Sequence, residues 1–142
     1  MSRFLFYLLL LFSTLTFAES ESLSPFTSDG CSMFPDGTFE QQKLWLNCCT
    51  EHDRAYWAGG TKAERKAADI KLKQCVESVG EPKIAKLMLA GVRVGGSPHW
   101  PTRFRWGYGW PFGRGYAPLT EDEVEQVTHL WSLHERTQKD GE

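Results

Sequence analysis

A base, a carboxylate and a phenol stand close together at His52, Asp53 and Tyr56. His52 and Tyr56 are four residues apart, so they share one face if this segment is helical, and Asp53 lies one step round the helix. A histidine can deprotonate water when a carboxylate accepts a hydrogen bond from one ring nitrogen and fixes the tautomer. The segment therefore predicts a hydrolytic site that needs a second carboxylate from elsewhere in the chain.

Two helices are predicted to position these side chains. Thr38 and Thr61 are each followed three residues later by Gln or Glu, which is the capping-box pattern of a helix start. We therefore expect helices over about 38–58 and 62–79, with Gly59-Gly60 ending the first one. Because so short a connection makes the two helices antiparallel, residues equally far from the turn should face each other.

This hairpin geometry selects Asp69 as the second carboxylate. His52 lies eight residues before Gly60 and Asp69 lies nine residues after it, so the two should meet across the hairpin. Tyr56 can then form a hydrogen bond to Asp69 and hold it in place. Asp53 has no part in this pair and is free to bind a cation.

The first eighteen residues have the pattern of a signal peptide. Arg3 supplies a positive start, an apolar run follows over 4–12, and Thr16-Phe17-Ala18 fits a cleavage site. We expect a mature single domain over 19–142 that is secreted or periplasmic; an uncleaved anchor is the alternative, although the apolar run is short for a bilayer. The mature chain would carry 15 basic and 18 acidic residues. That balance gives no electrostatic basis for binding nucleic acid, and no later apolar run is long enough to cross a membrane.

Four cysteines behind a predicted signal peptide indicate two disulfides formed in an oxidising compartment. They are Cys31, Cys48, Cys49 and Cys75. Three pairings are possible, and the hairpin favours Cys48 with Cys75, which leaves Cys31 for Cys49. A four-thiolate zinc site is the alternative interpretation, but the paired CxxC spacing that is usual in such sites is absent.

The remaining segments complete an all-α fold. The expected elements are a polar, disordered stretch at 19–28, a turn-rich loop at 29–37, a third helix at 83–94, an irregular Gly- and aromatic-rich segment at 95–118, and a C-terminal helix at 121–134. We therefore expect a disulfide-linked antiparallel helix pair that carries the active site, joined to an irregular aromatic segment and a final helix.

The loop around Cys31 is expected to supply a calcium site together with Asp53. A glycine-bearing loop can turn its carbonyl oxygens inward, and carbonyl oxygens with a carboxylate suit Ca²⁺, a hard ion that prefers oxygen ligands. The ion would polarise a substrate carbonyl and stabilise the oxyanion that forms. The chain has no serine nucleophile elbow and no HExxH motif. The predicted chemistry is therefore attack by activated water on an ester.

The segment 48–56, Cys-Cys-Thr-Glu-His-Asp-Arg-Ala-Tyr, resembles the CCxxHDxxxY signature of the secreted phospholipase A2 superfamily. Asp69, with Cys75 six residues later, is similar to the second active-site helix of that family. Asp29-Gly30-Cys31 resembles its calcium loop, particularly in the small bacterial members. The resemblance covers residues 29–76, and residues 83–142 match nothing in the family pattern.

The resemblance implies a calcium-dependent phospholipase A2 that acts on phospholipid at a membrane surface, with the same two disulfides that the hairpin favours. The implied site residues are His52 as the base, Asp69 as its partner, Tyr56 as support, Asp53 as a calcium ligand, and Asp29, Gly30 and Ser32 at the positions of the calcium loop. The chain departs from the family where Ala55 replaces a further cysteine, where the loop lacks a run of glycines, and where the two helices are joined by only a tight turn.

The sequence also allows functions other than catalysis. A His–Asp pair can be a buried hydrogen bond without catalytic function. The aromatic segment, which includes Trp100 and Phe112, either lies at an interface with lipid or packs into the core. Arg103, Arg105 and Arg114 lie among these rings and could contact phosphate or glycan. The alternative function is therefore a non-catalytic secreted module that binds lipid, glycan or protein.

Overall fold

The structure, a computed structural model, describes residues 22–141, so the predicted signal peptide lies outside the described residues. The described part is all-α, with four helices and no strand: α1 (Leu46–Ala58), α2 (Lys62–Ser78), α3 (Pro82–Gly95) and α4 (Glu121–Asp140). None of these helices has both the length and the apolar character needed to cross a membrane.

α1 and α2 form the predicted hairpin, with α3 packed against α2. The turn ends at Thr61, whose hydroxyl accepts a hydrogen bond from the Glu64 N–H. The Glu64 carboxylate accepts a hydrogen bond from the Thr61 N–H in return. This capping box satisfies two backbone donors that a helix start leaves without partners, and it sets where α2 begins.

Both disulfides are formed with the predicted pairing. The bond between Cys48 and Cys75 joins α1 to α2, and the bond between Cys31 and Cys49 ties the preceding loop to α1. All four cysteines are used in this way, so no thiolate is left to bind zinc. The two adjacent cysteines on α1 therefore hold α2 on one side and the loop on the other.

α1 begins eight residues later than the sequence predicts, so the expected start at Thr38 is wrong. There the capping pattern closes only an isolated turn, in which the Gln41 N–H donates to the Thr38 hydroxyl at 3.0 Å. Trp45 is held by the preceding loop, because its backbone N–H donates to the Asp36 carbonyl (3.0 Å) and its indole N–H to the Pro35 carbonyl (2.6 Å). These tertiary bonds bury Trp45 and outweigh the local helix signal.

The last two helices follow the predicted positions, with one difference in length. α3 begins with Pro82 at its first position, where the missing N–H costs no hydrogen bond. α4 starts at a Thr120 capping box but continues to Asp140, six residues beyond the expected end. Most of the added residues are polar and favour helix, so solvent-exposed turns extend α4 past its apolar face.

Residues 22–28 form no helix or strand but are anchored by two buried side chains, so the expectation of disorder there is wrong; residues 19–21 of the same predicted stretch lie outside the described residues. Leu23 and Phe26 are buried in a cluster with Trp57 and Trp110. The Trp57 indole N–H donates to the Ser24 carbonyl at 2.7 Å. Two apolar residues in an otherwise polar stretch are enough to anchor it, because large aromatic partners are available to cover them.

The aromatic segment packs against the C-terminal end of α1. Trp106 and Trp110 are buried, and their indole N–H groups donate to the carbonyls of Gly60 and Ala58, each at 2.8 Å. Carbonyl groups at a helix C-terminus have no partner within the helix. These rings therefore belong to the core and stabilise the end of the helix that carries the candidate site.

Candidate active site

His52, Tyr56 and Asp69 meet across the hairpin in a buried network. His52 Nε2 lies 3.0 Å from Asp69 Oδ1, and the Tyr56 hydroxyl donates to the same oxygen at 2.7 Å. Because a carboxylate only accepts hydrogen bonds, we assign the ring proton to Nε2, which leaves Nδ1 to accept a proton from water. Asp69 has no solvent exposure and Tyr56 has 2 %, so water does not compete for these bonds.

Tyr56 is fixed from several directions. Its ring lies 4.2 Å from the His52 ring, and Trp106 packs edge-on against it at 5.1 Å. The Arg65 Nε–H donates to the Tyr56 hydroxyl at 3.0 Å. Burial is the main reason that the pKa of the Tyr56 phenol lies above its ordinary value. The phenol therefore stays protonated at neutral pH and donates its proton to Asp69.

A cation faces the second oxygen of Asp69. Arg93 Nε lies 2.7 Å from Asp69 Oδ2. That distance is typical of an ion pair, although the N–H does not point along a good hydrogen-bond direction, so Oδ2 accepts no well-aligned hydrogen bond. We treat the contact as an ion pair, because charge attraction depends on distance more than on angle. Both oxygens of this buried carboxylate therefore have polar neighbours.

His52 and Asp53 line one cavity of about 360 Å³ between α1, α3 and the disulfide-tied loop. Its walls are otherwise mainly apolar: Phe34, Leu72, Leu87, Met88, Val92 and Phe104. Met33 and Leu87 line the cavity and are also largely exposed, so they lie at its mouth. The cavity therefore has a polar end, at His52 and Asp53, and an apolar remainder that suits a hydrocarbon chain.

Asp53 is desolvated beside the loop. Burial raises the pKa of its carboxyl group from 3.8 to about 7; the hydrogen bond from Ser28 opposes the rise and the charge of Asp29 adds to it. The Ser28 hydroxyl donates to Asp53 Oδ2 at 2.6 Å. A carboxylate that is costly to ionise in this way is stabilised when a cation binds to it.

The loop residues at the expected calcium positions lie beside Asp53, but their parts differ. Gly30 and Ser32 line the cavity, both with left-handed backbone (φ of 76° and 37°). Asp29 does not line it: one carboxylate oxygen accepts a hydrogen bond from the Ser32 hydroxyl at 2.6 Å, and the other lies 3.3 Å from Arg103. The Asp29 carboxylate is therefore engaged on both sides within the loop region.

The available donor atoms fit a hard cation. The described residues contain no group of three or more His, Cys, Asp and Glu side chains able to hold a metal. An ion at Asp53 would therefore depend on oxygen atoms of the loop, including those of Gly30 and Ser32. One carboxylate with backbone and hydroxyl oxygens suits Ca²⁺ and does not suit a metal that needs imidazole or thiolate ligands.

Three residues of the site were not found from the sequence. The Ser28 hydroxyl donates to Asp53 and accepts a hydrogen bond from the Gly30 N–H at 3.2 Å. A serine two residues before a loop glycine is typical of such a turn, so this pattern could have indicated Ser28 from the sequence. Arg65 and Arg93 reach the His–Asp–Tyr network from α2 and α3. No pattern in the sequence marks them, because ordinary surface helices carry arginines at similar spacing.

Comparisons with protein-family models, with curated proteins and with solved structures found no match to this chain. The chemistry of the site is therefore inferred from its own residues and from their geometry.

Proposed function

We propose that this protein is a calcium-dependent ester hydrolase of the phospholipase A2 type, exported to an oxidising compartment. The observation that carries the proposal is the 3.0 Å contact between His52 Nε2 and Asp69 Oδ1, at the polar end of an apolar cavity that Asp53 also lines. A base, a cation-binding carboxylate and a space for an acyl chain are thus adjacent. The two disulfides support an oxidising compartment.

In the proposed reaction, His52 Nδ1 accepts a proton from a water molecule, and the water oxygen attacks the carbonyl carbon of the bound ester. Asp69 stabilises the imidazolium that forms, and Tyr56 holds Asp69 in place. The proton then passes from His52 to the leaving alkoxide oxygen as the ester bond breaks. The products are a fatty acid and an alcohol, which for a phospholipid is the lysophospholipid.

The proposed cofactor is Ca²⁺, held by Asp53 with oxygens of the loop at Gly30 and Ser32; Asp29 is a further candidate ligand if its pair with Arg103 opens. When bound, the ion supplies positive charge that stabilises the oxyanion of the tetrahedral intermediate. The apolar walls exclude water from the acyl chain, which strengthens the electrostatic contacts at the reacting carbonyl.

Release of fatty acid from phospholipid vesicles tests this function. We expect the oxidised protein to release fatty acid with calcium present and to stop when a chelator is added. His52→Gln should lower the rate by about 10²- to 10⁴-fold, because the general base is lost. His129→Gln is the matched control, since this histidine is exposed on α4, and it should keep the wild-type rate. No release, or equal release by His52→Gln, would reject the proposal.

A second candidate function is binding without turnover. Trp100 and Phe112 are more than half exposed in the aromatic segment, and tryptophan favours the headgroup region of a membrane. In that case vesicle binding would survive chelation of calcium and the His52→Gln change, and no fatty acid would appear. The same vesicle experiment therefore separates the two functions.

A further inference from the structure

Arg93 touches the carboxylate of the proposed catalytic pair, yet the water attack described above does not use it. Its Nε lies 2.7 Å from Asp69 Oδ2, and its guanidinium also donates to the Lys66 carbonyl at 3.2 Å. Arg93 projects from the last turn of α3, whereas His52 and Asp69 belong to α1 and α2. The Asp69 carboxylate, which α2 carries, is therefore held by side chains from the other two helices, α1 and α3.

The backbone that carries Arg93 is itself fixed. Arg65, which is only 7 % exposed, donates to the carbonyls of Val92 and Arg93 at 2.8 and 3.0 Å. Both carbonyls lie in the last turn of α3, where the Val92 carbonyl also accepts a hydrogen bond from the Gly96 N–H at 3.0 Å and the last carbonyls of a helix otherwise lack partners within it. The same guanidinium donates to the hydroxyls of Tyr56 and Tyr116. Arg65 thus fastens the end of α3 to the tyrosine that supports Asp69.

The position of Arg93 matters because Asp69 is fully buried. A buried charge is costly unless an opposite charge lies beside it and its hydrogen-bonding capacity is filled. His52 and Tyr56 both bond to Oδ1, whereas Oδ2 accepts no well-aligned hydrogen bond. Rotation about the Cβ–Cγ bond, whose torsional preference is broad, is therefore restrained by hydrogen bonds at one oxygen only. A cation at Oδ2 restricts that rotation and supplies the missing charge.

We propose that Arg93 is a positioning residue that fixes the plane of the Asp69 carboxylate and thereby the orientation of the His52 ring. Its neighbour Val92 lines the acyl cavity. α3 therefore has two parts in the site: Val92 forms part of the cavity wall, and Arg93, the next residue, orients the pair of His52 and Asp69. This inference rests on the function proposed for His52 and Asp69.

The test compares Arg93→Gln and Arg93→Lys with the wild type. We expect Arg93→Gln to lower kcat by about 10- to 100-fold, because misplacing a catalytic group by about 1 Å can cost about 100-fold in rate, with KM unchanged because Arg93 is not among the cavity-lining residues. Arg93→Lys should recover part of kcat, since it keeps the charge but not the planar guanidinium. Lys73→Gln is the matched control, because it removes a cation from a partly exposed ion pair on α2 and should leave kcat unchanged.

A second readout is the NMR resonance of the His52 Nε2 proton, which the bond to Asp69 protects from exchange with water. Arg93→Gln should shift it and speed its exchange, and Lys73→Gln should not. An unchanged kcat, or an unchanged resonance, in folded Arg93→Gln would overturn the inference. If that variant does not fold, the same results in Arg93→Lys would overturn it. If the wild type hydrolyses no ester, the proposed function is wrong, and the resonance alone still decides whether Arg93 orients the pair.

Discussion

Replacing Gly96 with alanine should push Tyr56 away from Asp69. A Cβ atom built on Gly96 lies 2.5 Å from both Cε1 and the hydroxyl oxygen of Tyr56, and 2.8 Å from the Val92 carbonyl oxygen. Favourable contact between such atoms begins at about 3.5 Å, so the ring has to move by about 1 Å. Trp106 packs edge-on against the same ring, which limits the directions in which it can move.

The size of the effect follows from the bonds that this shift breaks. The Tyr56–Asp69 bond is 2.7 Å long, and a shift of about 1 Å would lengthen it beyond hydrogen-bonding distance. The lost buried bond and the strain of overpacking should together lower the free energy of unfolding by about 2 to 4 kcal/mol. Because misplacing a catalytic group by this distance can cost about 100-fold in rate, we expect a similar fall in kcat.

The assay pairs thermal unfolding, followed by circular dichroism, with fatty acid release below the melting temperature. Gly91→Ala is the matched control: Gly91 lines the same cavity, and its added Cβ would meet no atom within 4 Å. That control should keep kcat and gain up to about 1 kcal/mol from better helix propensity. If Gly96→Ala keeps both the wild-type kcat and the wild-type melting temperature, Tyr56 does not support Asp69 in the way described.

Four further predictions concern the ion site, the loop and the core. With the pKa of Asp53 raised by burial to about 7, titration calorimetry should show calcium binding about a hundredfold tighter at pH 8 than at pH 5; a constant affinity would contradict this. Without calcium, Asp53 keeps its proton in the folded state between about pH 4 and 7, whereas the unfolded chain has already lost it. The melting temperature should therefore fall as pH rises through that window. Changing Cys31 and Cys49 together to serine opens an 18-residue loop, which should cost about 3 kcal/mol in urea unfolding and weaken calcium binding; unaltered calcium affinity would argue against the loop as a ligand. Phe26→Ala removes a ring packed edge-on against Trp57 and should cost about 3 to 5 kcal/mol; a loss below about 1 kcal/mol would show that residues 22–28 are not part of the core.

The helical hairpin and the disulfide that joins its two helices were predictable because they depend on local sequence signals. Gly59-Gly60 and the Thr61 capping box set the turn within a few residues, and that turn alone decides which residues of the two helices face each other. The approach of His52 to Asp69 and the pairing of Cys48 with Cys75 follow directly. Such features need no knowledge of the rest of the fold.

The features that the sequence did not predict depend on contacts between distant segments. The start of α1 is set by Trp45, which bonds to the loop before it, and the order of residues 22–28 is set by aromatic rings some 30 to 85 residues away. Arg93 lies on a different helix from Asp69, far from it in the sequence, but contacts its carboxylate in the folded chain. Local pattern cannot indicate such contacts, because the energy comes from surfaces that only the folded chain brings together.

A calcium titration of three proteins most directly tests the claim that His52 moves the proton while Asp53 holds the ion. Wild type, His52→Gln and Asp53→Asn would each be titrated with calcium, by calorimetry and in the fatty acid release assay. We predict that His52→Gln binds calcium as the wild type does but releases fatty acid about 10²- to 10⁴-fold more slowly, and that Asp53→Asn loses both binding and release. Wild-type calcium binding by Asp53→Asn, or calcium-dependent release by His52→Gln at the wild-type rate, would contradict this division of roles.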